Sequence, residues 1–172
     1  MSSLNKNTFI KSLLFYFPTL FLFISVLNEI DFNYLKIEYF SFNFVYILIF
    51  YWTLKNPHYL SYGLIFIAGL VNDVVTGLPI GISSLCYLLI CAVTAYLRNI
   101  TITPNFMNDW LSLLFTILLV NSIQVMSLDL IFSIDVNYIR YSINSGFTFI
   151  FYPLFLFLFN NLEKKIKTQK ND

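Results

Sequence analysis

The residues most able to do chemistry in this chain surround one carboxylate inside an apolar segment. Gly69, Asp73 and Gly77 recur every four residues, and Gly81 follows at the same interval. On a helix, residues four apart share one face. A carboxylate inside a lipid-spanning helix costs about 2.5–3.5 kcal/mol at the bilayer centre, so it normally faces a protein interior. The glycines lack side-chain bulk, and we expect another helix to approach closely here.

Two interpretations of Asp73 follow from this geometry. In the structural one, its carboxyl group caps backbone N–H groups near the break between Gly77 and Gly81 and fixes helix packing. In the functional one, it carries protons, cations or substrate. A transport path normally contains further ionisable groups within the membrane, and the apolar runs contain none. His58 lies beside Pro57 at the opposite end, where a headgroup-level position is expected. The structural interpretation is favoured.

The sequence does not contain a recognisable catalytic or metal-binding set. It has one histidine, no Gly-x-Ser-x-Gly elbow and no phosphate-binding glycine loop. Cys86 and Cys91 lie in one apolar run without a nearby ligand cluster, which is typical of buried thiols. We therefore predict no enzyme activity, no metal and no cofactor. The lysines after residue 163 lie beside an apolar segment, which indicates contact with anionic lipid rather than nucleic acid.

Further polar residues lie in the last two apolar segments. Asn121 and Gln124 belong to the fifth, and Asn144 and Gly146 to the sixth. Polar and small residues in membrane helices commonly join neighbouring helices, at roughly 0.6–2 kcal/mol each. We predict interhelical contacts at these four positions, and a polar substrate pocket remains an open alternative.

The elements that position these residues are predicted from hydrophobicity. Of 172 residues, 58% are hydrophobic and 11% charged, against about 25% charged in soluble domains. A spanning helix needs about 20 residues, so this length allows five to seven spans. We predict an all-α membrane bundle, one domain over residues 1–162 with a basic cytoplasmic tail at 163–172, and spans near 12–27, 40–54, 59–76, 82–97, 109–130 and 138–162.

Two of these spans need comment. The first follows Lys6 and Lys11 as a signal peptide would, but a small-x-small cleavage site is missing, and we interpret it as a retained span. The second is short and is closed by Pro57, which disfavours helix continuation. It is predicted to be tilted, re-entrant or closely paired with the third.

The basic residues orient the bundle. Cytoplasmic flanks of membrane helices are enriched in Lys and Arg. With six spans and a cytoplasmic N-terminus, eight of the ten basic residues fall on the cytoplasmic side and two, Lys36 and Arg140, on the outer side. Five spans would place the lysine-rich tail outside. We therefore predict six spans with both termini in the cytoplasm.

The central region resembles the MreD family of rod shape-determining proteins. The resemblance rests on Tyr51-Trp52 at the end of one helix, Pro57-His58 shortly after it, and the series Gly63, Gly69, Asp73, Gly77 and Gly81. Asn144, Gly146 and Pro153 before a basic tail also fit. The chain departs from the pattern at Asn72, where an apolar residue is usual, and in its high Phe and Asn content.

This resemblance implies a non-enzymatic scaffold of the bacterial inner membrane that helps to organise peptidoglycan synthesis. Its implied direct partner is an MreC-like periplasmic scaffold protein. Through that protein it would be linked to actin-like MreB, a RodA-type glycosyltransferase and an elongation transpeptidase. The implied sites are Gly69, Asp73, Gly77 and Gly81 for helix packing and partner contact, and a cytoplasmic corner formed by Tyr51, Trp52, Pro57 and His58.

The family is also similar in fold to the substrate-binding subunits of energy-coupling-factor vitamin transporters. The resemblance therefore implies an alternative function, a solute-binding membrane subunit in which Asp73 or Asn121 contacts a ligand between the helices.

Overall fold

The computed structural model describes residues 16–27, 41–100 and 105–171, with side chains described up to residue 164. This part of the chain is helical and contains no strand, which confirms the predicted all-α class. It comprises six α-helices, with a short 3-10 helix at Pro57–Tyr59 between the second and third: α1 (Tyr16–Leu27), α2 (Phe44–Lys55), α3 (Tyr62–Thr76), α4 (Ile82–Ile100), α5 (Phe106–Leu130) and α6 (Tyr138–Asn171).

The short helix α2 lies at the centre of the bundle. It packs against α4, α5 and α6, and every residue from Phe44 to Thr53 is buried. A helix that is apolar on all sides is stable only when neighbours surround it. At 12 residues and about 1.5 Å per residue, α2 is shorter than a bilayer core of about 30 Å. Its surroundings, rather than its length, account for its position.

Three helices, α4, α5 and α6, are long and apolar enough to cross a membrane, whereas α1, α2 and α3 are shorter apolar helices. The long helices carry large apolar side chains on their outer faces. Five of these side chains are more than half exposed in the isolated chain, namely Tyr96, Phe115, Leu118, Ile150 and Phe157. Lipid contact explains this exposure, because apolar surface has no solvation cost in a bilayer.

Helices α3 and α4 form a tight hairpin. Gly77 ends α3 in the left-handed conformation, with φ of 70°, and Gly81 has φ of 105°. Residues with a Cβ rarely adopt these angles, so glycine at both positions permits the sharp reversal. The break predicted at Gly77 to Gly81 is this turn.

Helix α6 contains Pro153 without ending there. A proline inside a helix removes one backbone hydrogen bond and leaves the carbonyl four residues earlier without its partner. That carbonyl belongs to Phe149, and the indole Nε1 of Trp110 in α5 donates to it at 2.9 Å. The Trp110 and Phe149 rings also stack, with centroids 4.6 Å apart. A side chain from the neighbouring helix thus replaces the lost hydrogen bond.

The ends of α2, α4 and α5 meet at one end of the bundle. Lys55 Nζ at the end of α2 lies 2.7 Å from Asp109 Oδ2 at the start of α5. Arg98, near the end of α4, donates to the carbonyl of Thr53 at 3.1 Å. The first described turn of α1 reaches the same end, where Thr19 donates to the carbonyl of Tyr59.

The predicted boundaries differ from the helices mainly in the connecting segments. Predicted residues 12–15 of the first span and residue 40 of the second lie outside the described residues. The third span begins at Tyr62, because residues 57–59 form the 3-10 helix instead. Helix α4 extends to Ile100, α5 begins at Phe106, and α6 continues through the predicted tail to Asn171. Helical backbone continues into these polar segments, so hydropathy did not mark the helix ends.

Candidate functional site

The carboxylate of Asp73 lies at the start of α4. Its Oδ2 accepts a hydrogen bond from the backbone N–H of Gly81 at 2.7 Å, and its Oδ1 accepts one from Ser83 at 2.8 Å. The Asp73 side chain is completely buried. The first N–H groups of a helix lack intrahelical partners and carry partial positive charge, so a carboxylate is a favourable acceptor there. This arrangement is the one expected in the structural interpretation, in which the carboxyl group of Asp73 caps backbone N–H groups near the break between Gly77 and Gly81.

Gly69 is the point of closest approach between α3 and α4. A Cβ built on Gly69 would collide with the Cα of Ser84 and come within 2.5 Å of its backbone nitrogen. Ser84 Oγ also donates to the carbonyl of Phe66 at 2.9 Å. The close helix expected at Gly69 is therefore α4 of the same chain, and this contact fills the space that a partner helix would need.

Gly77 and Gly81 act through backbone conformation instead. A Cβ at either position would have open space around it, but both residues have positive φ. The repeating glycine pattern therefore combines two physical roles, close packing at Gly69 and chain reversal at Gly77 and Gly81. Asn72 adds a hairpin contact by donating to Ser83 Oγ at 2.9 Å.

A cavity of about 420 Å³ lies beside this turn, at the end of the bundle away from Lys55. Residues from all six helices and from the segment before α2 surround it. Its walls carry hydroxyl, amide and aromatic groups and one cationic side chain. The lining residues are Ser25, Ser41, Phe42, Asn43, Phe44, Val45, Tyr46, Asn72, Thr76, Leu78, Ser83, Tyr87, Asn121, Gln124, Arg140, Tyr141 and Asn144.

Three amides predicted to form interhelical contacts line this cavity. Gln124 Oε1 accepts from the hydroxyl of Tyr46 at 3.1 Å. Asn121 Nδ2 donates to Ser145 Oγ at 2.7 Å, which joins α5 to α6. Asn144 Nδ2 donates to Ser41 Oγ at 2.8 Å. Their clustering around one cavity is a tertiary feature that their positions in separate segments do not reveal.

Gly146, the fourth predicted contact residue, is placed differently. It is exposed on the outer face of α6, and a Cβ built there would meet no heavy atom within 4 Å. Among the described residues it makes no close helix contact, so it does not join the polar cluster.

The residues predicted to form a corner lie near the other end of α2. The hydroxyl of Tyr51 is within 2.8 Å of both Asn160 Oδ1 and Glu163 Oε2 of α6. Trp52 is buried and packs edge-on against the rings of Tyr51 and Tyr59. Tyr51 thus joins α2 to α6, and Trp52 packs against the 3-10 helix that follows α2.

The other two corner residues lie in the short connection. Pro57 is the first residue of the 3-10 helix that follows α2, and His58 is exposed. Exposure of His58 at the end of the bundle agrees with the headgroup-level position expected for it.

The ion pair of Lys55 with Asp109 was missed by the sequence reasoning. Asp109 is buried, with its side chain 8% exposed, and that of Lys55 is 29% exposed. Both residues sit at span ends, where an exposed position is the usual expectation, and they are 54 positions apart. Sequence has no local signal for this pairing, because it depends on α2 and α5 being neighbours.

The described residues contain no group of three or more His, Cys, Asp or Glu side chains that could hold a metal ion. Cys86 and Cys91 are both buried and free, and Cys91 Sγ lies 3.7 Å from the hydroxyl of Thr53. These thiols pack in the core, as expected for cysteines in an apolar helix.

Long apolar helices, outward-facing apolar side chains and an internally capped carboxylate define a helical membrane protein with a polar cavity near one end. Comparison with protein families gives a more specific assignment. The family model for rod shape-determining protein MreD matches residues 9–162, so the chain belongs to the MreD family. This match confirms the resemblance based on the central motif.

Membership of this family implies a role in rod shape determination, and the family is not a known enzyme family. No curated protein and no solved structure shows significant similarity to the chain.

Proposed function

We propose that this protein is a non-enzymatic scaffold subunit of the cell-elongation complex in the bacterial inner membrane. It docks an MreC-like partner and, through it, helps to organise MreB, a RodA-type glycosyltransferase and an elongation transpeptidase around peptidoglycan synthesis. Family membership supports this role. The main structural support for a scaffold role is the bonding of Asp73, whose carboxylate accepts hydrogen bonds from two backbone N–H groups of its own chain. A carboxylate held in this way stabilises a hairpin rather than relaying charge.

The proposal includes a topology of six spans with both termini in the cytoplasm. The contacts of Lys55 and Arg98 at one end of the bundle support it, because basic residues favour the cytoplasmic side. Arg140 lies at the other end, beside the cavity. Alkaline phosphatase fused after Ile134 is expected to be active, and fusions after Asn56 or at the C-terminus inactive. The reverse pattern, or activity at the C-terminus, would contradict this topology.

The partner is proposed to dock on the outer surface of the bundle rather than at Gly69. The space beside Gly69 is filled by Ser84, and Asp73 is completely buried. Outer faces of α3, α4, α5 and α6 expose apolar side chains suited to a transmembrane helix, among them Val74, Leu85 and Leu118. Association of membrane helices depends on such van der Waals contact.

Photo-crosslinking tests this docking. A photoreactive phenylalanine analogue is placed, one position at a time, at Val74, Leu85, Leu118 and Gly146, which lie on four different helices and are exposed. Cells co-express a tagged MreC-like partner and are irradiated. We expect crosslinks to the partner from one face, and the exposed positions on the other faces serve as controls.

Absence of a crosslink from every face, in cells that still lose rod shape when the gene is deleted, would contradict direct docking of the transmembrane helix. The function in rod shape would then require another contact. Gly69→Leu is unsuitable for this purpose, because its side chain would disrupt the α3–α4 hairpin itself.

A solute-binding transport subunit is a second candidate, favoured by the cavity of about 420 Å³. Ligand sites typically occupy about 300–1,000 Å³ and contain a few convergent polar groups. Uptake of labelled vitamins into cells that express the chain with an energy-coupling module tests this function. Uptake above that of cells lacking the chain would support transport, and uptake unchanged by the chain would contradict it.

A further inference from the structure

The cavity has a specific chemical character. Its lining includes five carboxamide side chains, among them Asn121, Gln124 and Asn144. It also includes several hydroxyl groups and the guanidinium-bearing Arg140, and no carboxylate among the described residues. We propose that it binds a small anionic molecule that also carries a hydroxyl-rich ring, such as a phosphorylated polyol. This site is separate from partner docking and does not depend on the scaffold role.

The amides supply recognition of hydroxyl groups. A carboxamide offers an oxygen with two lone pairs and a nitrogen with two N–H donors. The contact from Tyr46 occupies one acceptor position of Gln124, and the contact to Ser145 occupies one donor of Asn121. Both side chains therefore retain donors and acceptors while the internal contacts fix their orientation. Groups that both donate and accept match ligand hydroxyls, which do the same.

Arg140 supplies recognition of the anion. Arg140 is exposed and lines the cavity, and its side chain forms no ion pair with a carboxylate of the described residues. A guanidinium presents paired N–H donors that match phosphate or carboxylate oxygens. Asp73 is completely buried and is not part of the lining, and its carboxylate accepts from the Gly81 and Ser83 N–H groups, whose partial positive charge offsets part of its effect on an anion in the cavity.

Aromatic walls complete the site. Tyr87 and Tyr141 line the cavity beside the polar groups, and Tyr87 is 2% exposed while Tyr141 is half-buried. Aromatic faces offer apolar contact to the flat side of a ring. The phosphorylated ring can come from a soluble molecule or from a lipid headgroup, since both present the same chemistry to the cavity.

Matched probes separate these two sources. In the soluble arm, inositol 1-phosphate is titrated into the full-length protein in phosphatidylcholine nanodiscs, with uncharged inositol as the control. In the lipid arm, the nanodiscs contain phosphatidylinositol in place of part of the phosphatidylcholine. Binding is measured as a dissociation constant in the first arm and by native mass spectrometry of retained lipid in the second.

Three variants test the site. Arg140→Gln removes the cation, and Thr76→Phe fills the cavity from the exposed end of α3. Lys164→Gln removes an equal charge from an exposed position on α6 outside the cavity and is the matched control. Loss of a charge-assisted hydrogen bond weakens binding about tenfold or more. We expect a loss of this size for Arg140→Gln. We expect a loss at least as large for Thr76→Phe, because its ring occupies the space of the ligand, and wild-type binding for Lys164→Gln.

The outcomes are distinct. Binding of inositol 1-phosphate that is lost in both cavity variants supports a soluble ligand, and retention of phosphatidylinositol alone with the same loss supports a lipid headgroup. Failure of both probes to bind, or equal binding by wild type, Arg140→Gln and Thr76→Phe, would overturn the proposal. Neither result affects the test of partner docking. Unchanged unfolding transitions of the variants establish that any loss of binding is local.

Discussion

Replacing Asp73 with alanine removes the acceptor of two backbone N–H groups at the start of α4. The Ser83 N–H is buried and the Gly81 N–H is partly buried. Neither group has an intrahelical carbonyl to accept its hydrogen, because the first turn of a helix lacks one. The expected effect is therefore loss of stability in the α3–α4 hairpin rather than loss of a reacting group.

The size of the effect follows from these two contacts. A hydrogen bond to a charged group contributes about 1.5–3 kcal/mol, and a buried donor left unpaired costs about 1–3 kcal/mol. The Ser83 contact is fully buried and should contribute in the full range, while the Gly81 contact should contribute less because its N–H can reach water. We expect Asp73→Ala to lower the free energy of unfolding by about 2–5 kcal/mol. Asp73→Asn should cost about half as much, since its amide retains one acceptor oxygen.

The measurement is reversible unfolding in mixed micelles, followed by tryptophan fluorescence during titration with sodium dodecyl sulfate. Asp129→Ala is the matched control, because Asp129 is exposed and the hydrogen bond described for its carboxylate, from the hydroxyl of Tyr138, is long at 3.4 Å. Exposed substitutions of this kind change stability by about 0.5 kcal/mol or less. If the free energies of unfolding of Asp73→Ala and Asp129→Ala differ by no more than that margin, the structural role of Asp73 is refuted.

The remaining predictions concern three other packing features. Gly69→Ala should destabilise the protein by about 1–3 kcal/mol through overpacking, whereas Gly146→Ala should be neutral or stabilising by up to about 1 kcal/mol, both measured by the same unfolding titration. Lys55→Met should lower the free energy of unfolding by an amount near the lower end of the range of about 3–5 kcal/mol, because it leaves Asp109 buried without its cation. The double variant with Asp109→Leu should recover much of this stability. Trp110→Phe should cost about 1–3 kcal/mol by leaving the carbonyl freed by the proline of α6 without a donor.

Each of these predictions has a clear contrary result. Equal stability of the two glycine variants would mean that α3 and α4 are not in close contact. A double variant no more stable than Lys55→Met would mean that the lysine does not neutralise Asp109. In a Pro153→Ala background the backbone N–H returns, so Trp110→Phe should then cost less. An unchanged cost would contradict the proposed compensation.

Sequence reasoning located the α3–α4 turn and the special character of Asp73 because both depend on local spacing. Glycines at intervals of four and a carboxylate in an apolar run carry their physical meaning without knowledge of the neighbours. The same spacing could not identify which helix approaches Gly69. A small residue permits close contact with any helix, and the packing of α4 against α3 decided that the contact is internal.

The sequence also could not predict the central position of α2. The short span predicted at residues 40–54 suggested an element that is tilted, re-entrant or closely paired with the third span. Nothing in its apolar composition distinguishes a core helix from a lipid-facing one. Burial on all sides arises from the arrangement of α4, α5 and α6 around it. Hydropathy measures transfer from water, and the protein interior and the lipid are almost equally apolar.

Taken alone, the sequence determined an all-helical membrane protein of the MreD family, because apolar length, charge placement and the central motif are properties of linear order. Tertiary structure decided the rest. It paired Lys55 with Asp109, supplied Trp110 to the carbonyl freed by Pro153, and gathered amides from separate helices around one cavity. The physical reason is that each of these contacts joins residues tens of positions apart, and only helix packing determines which distant side chains become neighbours.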